Sequence, residues 1–123
     1  MKRLINYSKS RWKAFGYAFT GAWDLLANQA PSRIHIAALI GMLAICFGLN
    51  FPLWKWVAVI ILAGMVLCAE ALNTAVEYVV DLVSPDYHVL AGKAKDVAAA
   101  GVLFASMAAG VVALLLIGHE LFY

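Results

Sequence analysis

Charged residues are scarce in this sequence, and their scarcity limits what the chain can be. Only 13% of the 123 residues are charged, whereas 65% are hydrophobic, and the mean hydropathy is +0.87. Soluble domains carry roughly a quarter charged residues. The net charge of +2, without a basic run interleaved with aromatic residues, argues against nucleic acid as a partner. The composition therefore predicts a small integral membrane protein with a single domain, residues 1–123.

Cysteine and proline are rare as well. Cys46 and Cys68 lie in apolar runs with neither CxxC nor Cys/His spacing, which excludes a thiolate metal site of known pattern. Both are predicted to be small hydrophobic residues of the core. The three prolines, Pro31, Pro52 and Pro85, stand between longer apolar or amphipathic segments. They predict three breaks, and thus four helical segments.

The first segment, residues 1–30, has the pattern of an amphipathic helix in the membrane interface, followed by a turn. Large apolar side chains recur on one face and polar ones on another. The apolar face carries Ile5, Trp12, Phe15, Phe19 and Trp23, and the polar face carries Lys2, Lys9, Lys13, Thr20 and Asp24. Asn28, Gln29, Pro31 and Ser32 predict the turn. A targeting presequence is the alternative, and the aromatic face disfavours it.

The other three segments, residues 33–50, 54–83 and 96–118, are apolar enough to be membrane helices. Trp54, Lys55 and Trp56 open the second and are predicted as interfacial anchors. A polar loop over residues 86–96 is expected before the third.

Small and basic residues add to this picture. Gly101, Ala105 and Ala109 recur at four-residue steps, which predicts close helix packing. Basic residues flank the membrane segments unevenly. The connection between the first and second segments holds only Lys55, whereas Lys93 and Lys95 lie between the second and third. Six more precede the first segment: Lys2, Arg3, Lys9, Arg11, Lys13 and Arg33. The positive-inside rule then predicts a cytoplasmic N-terminus and a cytoplasmic loop at 84–96.

A row of polar side chains interrupts the second membrane segment. Glu70, Asn73, Glu77 and Asp81 fall within an arc of about 80° on one helical face. A carboxylate at the centre of a membrane helix costs roughly 2.5 kcal/mol or more, so such residues usually serve function. Like charges also repel and need a cation or proton between them. The alternative, a polar cluster that only joins helices, is weakened by the number of acids.

These residues suit phosphoryl transfer. Carboxylate and amide oxygens are the donors that Mg²⁺ prefers, often together with substrate phosphates. Lys93 and Lys95 could neutralise phosphate charge, and Asp96 adds a carboxylate. The spacing is not that of a P-loop. Taken alone, the lysines could equally be ordinary positive-inside residues.

The run from Glu70 to Asp81, read as E-x-L-N-(T/S)-A-x-E-x-x-V-D, with Tyr87-His88 and a downstream A-K-D at 94–96, resembles the bacterial integral-membrane diacylglycerol kinase and undecaprenol kinase family. The similarity is strong from about Ala69 to Gly101. Lys13-Ala14-Phe15-Gly16-Tyr17 and Arg33-Ile34-His35 also match.

The resemblance implies an all-α membrane kinase that uses ATP and Mg²⁺: a homotrimer in the bacterial inner membrane, with active sites shared between subunits. Glu70 would be the general base for the lipid hydroxyl, and Glu77 would hold Mg²⁺ and ATP, with Asn73 and Asp81 in support. Further nucleotide contacts would come from Tyr17, Gln29, Asp86, Tyr87, His88, Lys95 and Asp96. The lipid would contact Trp23, Arg33, Glu70 and Ala99.

Two positions depart from the family pattern. Gln29 stands where relatives usually carry a second metal-binding Glu, and Ser10 stands where some carry an Arg. An amide offers a neutral oxygen, so Mg²⁺ affinity should fall unless Asp24, Asp81 or a phosphate oxygen compensates.

The predicted reaction is ATP-dependent phosphorylation of a membrane alcohol, with diacylglycerol favoured as acceptor and undecaprenol as the alternative. Two other classes remain: a small proton-coupled transporter built around Glu70, and a helix-packing subunit without chemistry. Acids that extend to the membrane surface and meet lysines disfavour the transporter.

Overall fold

The computed structural model describes the backbone of residues 2–122 and the side chains of residues 11–122. Predictions that concern the side chains of Lys2, Ile5, Lys9 and Ser10 lie outside the described residues. The chain is all-α in this range, as predicted. Its helices are α1 (Lys2–Asn28), α2 (Ala30–Gly48), α3 (Leu53–Val83) and α4 (Val89–Phe122). Among the residues described, α2, α3 and α4 are long and apolar enough to cross a membrane.

Residues 1–30 form one compact unit and residues 31–123 another. The first unit is a single helix of 27 residues. Its aromatic side chains Trp12, Phe15, Phe19 and Trp23 are exposed. Near its end, the Asn28 side-chain amide donates to Asp24 Oδ1 at 2.6 Å, which holds the last turn in place.

The turn predicted at residues 28–32 is shorter than expected. Gln29 alone separates α1 from α2, and its backbone N–H still donates to Leu25 O at 3.2 Å. Pro31 and Ser32 belong to the first turn of α2. Proline is tolerated there because the first N–H groups of a helix have no intrahelical acceptor.

In the second unit, α3 packs against α4 along its length, and contacts at both ends make the two helices antiparallel. The ammonium group of Lys55, near the start of α3, forms an ion pair with Glu120 near the end of α4. At the other end, Lys95 Nζ donates to Asp81 Oδ1 at 2.6 Å. The apolar core lies towards the Lys55 end, where Cys46, Phe51, Val59 and Leu116 are buried together.

Two predictions about apolar and small residues need correction. Cys46 is buried as predicted, but Cys68 is exposed on α3, because it lies on a face of α3 that neither α2 nor α4 covers. Gly101 is also exposed, and a methyl group in its place would meet no atom within 4 Å. Ala105 and Ala109, further along α4, are half-buried.

Lys55 is not the interfacial anchor that the sequence predicted. Its side chain is 1% exposed, and its ammonium group donates to Leu116 O at 3.2 Å and lies 4.8 Å from the Phe51 ring centroid. His119 Nδ1 lies 3.2 Å away. The carbonyl, carboxylate and aromatic face replace the hydration that a buried ammonium loses.

The loop predicted over residues 86–96 is also shorter. Only residues 84–88 lie between α3 and α4, and α4 begins at Val89. His88 explains the early start, because its Nδ1 accepts the backbone N–H of Leu90 at 3.1 Å and its carbonyl accepts that of Gly92 at 3.0 Å. The contact with Leu90 satisfies an N–H group that the first turn of a helix leaves without a partner, and the contact with Gly92 is the first backbone bond of α4. Lys93, Lys95 and Asp96 therefore lie on helix, not on loop.

Candidate functional site

Glu70 lies in the middle of α3, and its carboxylate is almost wholly buried. The side chain is 4% exposed, and its Oε1 lies 3.0 Å from Nε2 of His35 on α2, which is 24% exposed. A buried carboxylate needs such a donor, because hydration is lost on burial. The contact joins α2 to α3 at the predicted base.

Asn73 and Glu77 lie one and two turns further along the same face of α3. The Asn73 side-chain amide donates to Glu77 Oε1 at 2.9 Å. Asn73 Oδ1 is buried and has no hydrogen-bond partner among the described residues. A buried acceptor without a donor is uncommon, and this one lies beside a half-buried carboxylate.

Asp81 and Lys95 form the outer end of the row. Their ion pair is partly exposed, with Asp81 at 63% and Lys95 at 37%. Exposed pairs of this kind contribute about 0–1 kcal/mol, so Lys95 can exchange Asp81 for another anion at little cost. Asp81 lies about 16 Å from the level of Glu70, from eleven residues at ~1.5 Å rise.

The remaining predicted nucleotide-contacting side chains of the unit formed by residues 31–123 are exposed. Asp86, Tyr87 and His88 are exposed in the short loop, and Asp96 is exposed on α4. The Ser84 hydroxyl donates to Asp86 O at 3.0 Å, which shapes the loop. The loop thus presents a carboxylate, a phenol and an imidazole beyond the outer end of the polar row.

The other predicted site residues lie on α1, at the junction after it, on α2 and on α4. Tyr17 and Trp23 are exposed on α1, and Gln29 is half-buried at its end. Arg33 on α2 and Ala99 on α4 are exposed as well.

A cavity of about 220 Å³ lies between α2, α3 and α4. His35 lines one end, and its walls are apolar, with Leu39 and Met42 from α2, Val66 from α3 and Gly110 from α4. Ser106 of α4 also lines it, and its Oγ is buried without a hydrogen-bond partner in the described part of the chain. The Asp81–Lys95 contact sets the register of the antiparallel helices α3 and α4. Glu70 lies eleven residues from Asp81, and Ser106 lies eleven residues from Lys95 in the same direction along the helix pair. Glu70 and Ser106 therefore lie at the same height along the two helices. The cavity therefore has one polar end and an apolar body.

Glu77 and Asn73 suit a magnesium ion that arrives with a nucleotide. Within the described range, no three His, Cys, Asp or Glu side chains lie close enough together to hold a metal. Mg²⁺ commonly uses one or two carboxylates and completes its shell with water and substrate phosphates. The carboxylate of Glu77 and the unpartnered Asn73 Oδ1 are donors of the right kind.

The sequence did not predict the contacts that α2 and α4 make with the row. In the sequence, His35 stands out only as part of the Arg33-Ile34-His35 match to the kinase family, and Ser106 does not stand out. A titratable residue at the start of an apolar segment was the available signal for His35. Its pairing with Glu70 depends on how two distant helices pack, which periodicity within one helix does not reveal.

Comparisons with known proteins indicate the family of this chain. A family model described as prokaryotic diacylglycerol kinase matches residues 16–117. The chain is 31% identical to the undecaprenol kinase of Bacillus subtilis over 105 residues, which is 85% of both chains. It is 36% identical to the diacylglycerol kinase of Escherichia coli K12 over 98 residues, covering 79% of this chain and 80% of the relative. It is 37% identical to that of Synechocystis over 100 residues, covering 80% and 57%.

The chain therefore belongs to the prokaryotic diacylglycerol kinase family. This confirms the resemblance carried by the Glu70–Asp96 motif and the predicted class of enzyme, a lipid kinase. ATP is then its phosphoryl donor, and the transporter and packing-subunit alternatives lose their support.

Proposed function

We propose that this protein transfers the γ-phosphoryl group of ATP to the hydroxyl of diacylglycerol, giving phosphatidic acid. The observation that carries the proposal is the buried Glu70 carboxylate, paired with His35 where an apolar cavity becomes polar. A lipid alcohol has the matching form, a hydroxyl attached to a hydrocarbon body.

Glu70 acts as the general base. Its carboxylate takes the acceptor's hydroxyl proton while the hydroxyl oxygen bonds to the γ-phosphorus and the bond from that phosphorus to the β–γ bridging oxygen breaks. ADP leaves, and the proton on Glu70 returns to solvent. Burial suits this role because water, the competing acceptor of the phosphoryl group, is kept away from the base.

The outer part of the row serves the nucleotide. Glu77, with Asn73, would hold a magnesium ion, which when bound neutralises phosphate charge and orients the transferred group. Gln29 is proposed as a weaker, neutral ligand to the same ion. Lys95 would exchange its exposed pairing with Asp81 for a phosphate. Tyr17, Asp86, Tyr87, His88 and Asp96 are proposed to border the nucleotide.

The lipid and the membrane set the remaining parts of the proposal. Two features of the chain support a membrane setting. Helices α2, α3 and α4 are apolar, and many of their large hydrophobic residues are exposed in the single chain. We propose that these surfaces meet lipid and two further copies of the chain, in a trimer with shared sites. Trp23, Arg33 and Ala99 would contact the acceptor. The N-terminus and the loop at 84–88 would face the cytoplasm from the inner membrane.

Undecaprenol is the second candidate acceptor. The similarity to the Bacillus subtilis undecaprenol kinase extends over 85% of both chains, as far as that to any diacylglycerol kinase named above. Both acceptors present a hydroxyl on a long apolar body, so the chemistry at Glu70 is the same for either.

The test is ATP consumption by the purified protein in mixed micelles, with diacylglycerol or undecaprenol offered separately at equal mole fraction. We expect turnover with diacylglycerol at several times the rate with undecaprenol. A higher rate with undecaprenol would reassign the acceptor. The absence of turnover with either lipid would overturn the lipid-kinase proposal.

A further inference from the structure

The contact between His35 and Glu70 joins two helices at the proposed base. His35 lies on α2, 35 residues before Glu70, and is brought to it only by the packing of α2 against α3. Its Nε2 lies 3.0 Å from Glu70 Oε1, with the carboxylate 4% exposed and the imidazole 24% exposed. A base that is held by a third group is a recurrent feature of catalytic sites.

The arrangement leaves one carboxylate oxygen for chemistry. His35 engages Oε1, and no further polar contact of Glu70 is found among the described residues. Oε2 is thus the oxygen that can take a proton from a hydroxyl. His35 also lines the apolar cavity, so the acceptor's hydroxyl would reach Oε2 beside the imidazole.

Burial makes orientation important here. The Glu70 carboxylate ends a flexible side chain with three torsions and can rotate unless its surroundings fix it, and the cavity that His35 lines is mainly apolar. Hydrogen bonding to a directional donor is what fixes such a group.

We propose that His35 is a positioning residue for the reaction: its Nε2–H holds Glu70 Oε1 so that Oε2 faces the acceptor's hydroxyl. The inference rests on the proposed function, in which Glu70 is the base. His35 itself neither receives the hydroxyl proton nor contacts the transferred phosphoryl group.

Two substitutions separate orientation from packing. His35→Leu keeps the bulk and apolar contacts but removes the donor, whereas His35→Gln retains an N–H at similar reach. We expect kcat of His35→Leu to fall on the order of 10²-fold, the loss that follows a displacement of about 1 Å at a reacting group. The KM for MgATP should stay unchanged, and His35→Gln should recover most of the kcat. Leu43→Ala, which weakens the packing of α2 against the apolar core without lining the cavity or touching the pair, is the packing control and should keep kcat close to that of the wild type.

A second measurement does not depend on turnover. The side-chain ¹⁵N resonances of the three histidines, His35, His88 and His119, can be compared between the wild type and Glu70→Gln in micelles. We expect the His35 signals to shift and those of His88, in the loop, to stay.

Three results would overturn the proposal. They are an unchanged kcat in His35→Leu, a loss of kcat in His35→Gln as large as that in His35→Leu, and a His35 ¹⁵N resonance that does not shift in Glu70→Gln. Failure of the proposed function has a different outcome, since the wild type itself would then leave both lipids unphosphorylated. The resonance comparison would still report on the pair.

Discussion

At the scale of single residues, the row on α3 was predictable and its partners were not. Four polar residues at helical spacing in an apolar run locate one face without any tertiary information. The Asn73–Glu77 contact follows from the same spacing, since residues four apart are neighbours on a helix. His35 and Ser106 reach the level of Glu70 from other helices, and no local pattern encodes that meeting.

The first prediction at this scale concerns the base. Glu70→Gln keeps the shape and a hydrogen-bond acceptor for His35 but removes the group that takes a proton. We expect kcat to fall about 10²- to 10⁴-fold, the usual contribution of general-base catalysis. Steady-state rates in mixed micelles, with size-exclusion chromatography to check folding, measure this. Near-normal turnover with an unchanged pH profile would remove Glu70 from the role.

Glu77→Gln should behave differently. The substitution removes an anionic ligand from the proposed magnesium–nucleotide site but leaves Glu70 and His35 in place. We expect a several-fold rise in the Mg²⁺ concentration for half-maximal rate, and weaker nucleotide binding. Magnesium titrations at fixed ATP check it. Indifference of nucleotide binding to both Mg²⁺ and this substitution would contradict the assignment.

Gln29 offers a gain-of-function test. If this residue lies beside the metal in the assembled enzyme, Gln29→Glu adds a charged oxygen and lowers the Mg²⁺ concentration for half-maximal rate. If Asp24 or Asp81 already compensates, the additional carboxylate raises repulsion and slows the reaction. Titrations of the wild type and the variant distinguish the two. An unchanged Mg²⁺ dependence and rate would place Gln29 away from the metal.

At the scale of elements, the number and order of helices followed from apolar length and proline position, whereas their ends did not. The loop between α3 and α4 is shorter than polarity suggested because His88 supplies a cap for α4. Lys55 was assigned to the interface because lysine is usually exposed there. Its burial depends on Glu120, which is 65 residues away in sequence.

The Lys55–Glu120 pair gives an asymmetric stability prediction. Lys55 is 1% exposed and Glu120 27%. Glu120→Leu therefore leaves a buried ammonium without its carboxylate and should destabilise the protein by about 3 kcal/mol. Lys55→Met leaves a carboxylate that water can reach and should cost less, about 1 kcal/mol.

Thermal or denaturant unfolding in micelles compares these variants. Asp81→Asn, which removes the exposed pair with Lys95 at the opposite end of the same two helices, serves as the matched control and should cost under ~1 kcal/mol. Equal losses for Glu120→Leu and Lys55→Met would contradict the asymmetry.

At the scale of the whole molecule, composition alone indicated a membrane protein, and the three apolar helices agree with it. The catalytic class depended on one specific motif, Glu70 to Asp96, and on membership of a kinase family. The choice between two lipid alcohols is not encoded in that motif, because in the proposed reaction both bring the same hydroxyl to Glu70. We expect acceptor selection to depend on the apolar surfaces around the cavity.

The most direct test of the central claim follows the phosphoryl group itself. Purified protein is given ATP labelled in the γ-phosphate, with diacylglycerol in mixed micelles, and label in the lipid is compared with label in inorganic phosphate. We expect the label to enter the lipid in step with ADP release, and Glu70→Gln to slow this transfer about 10²- to 10⁴-fold. Label that appears only in inorganic phosphate, or transfer that Glu70→Gln leaves intact, would contradict it.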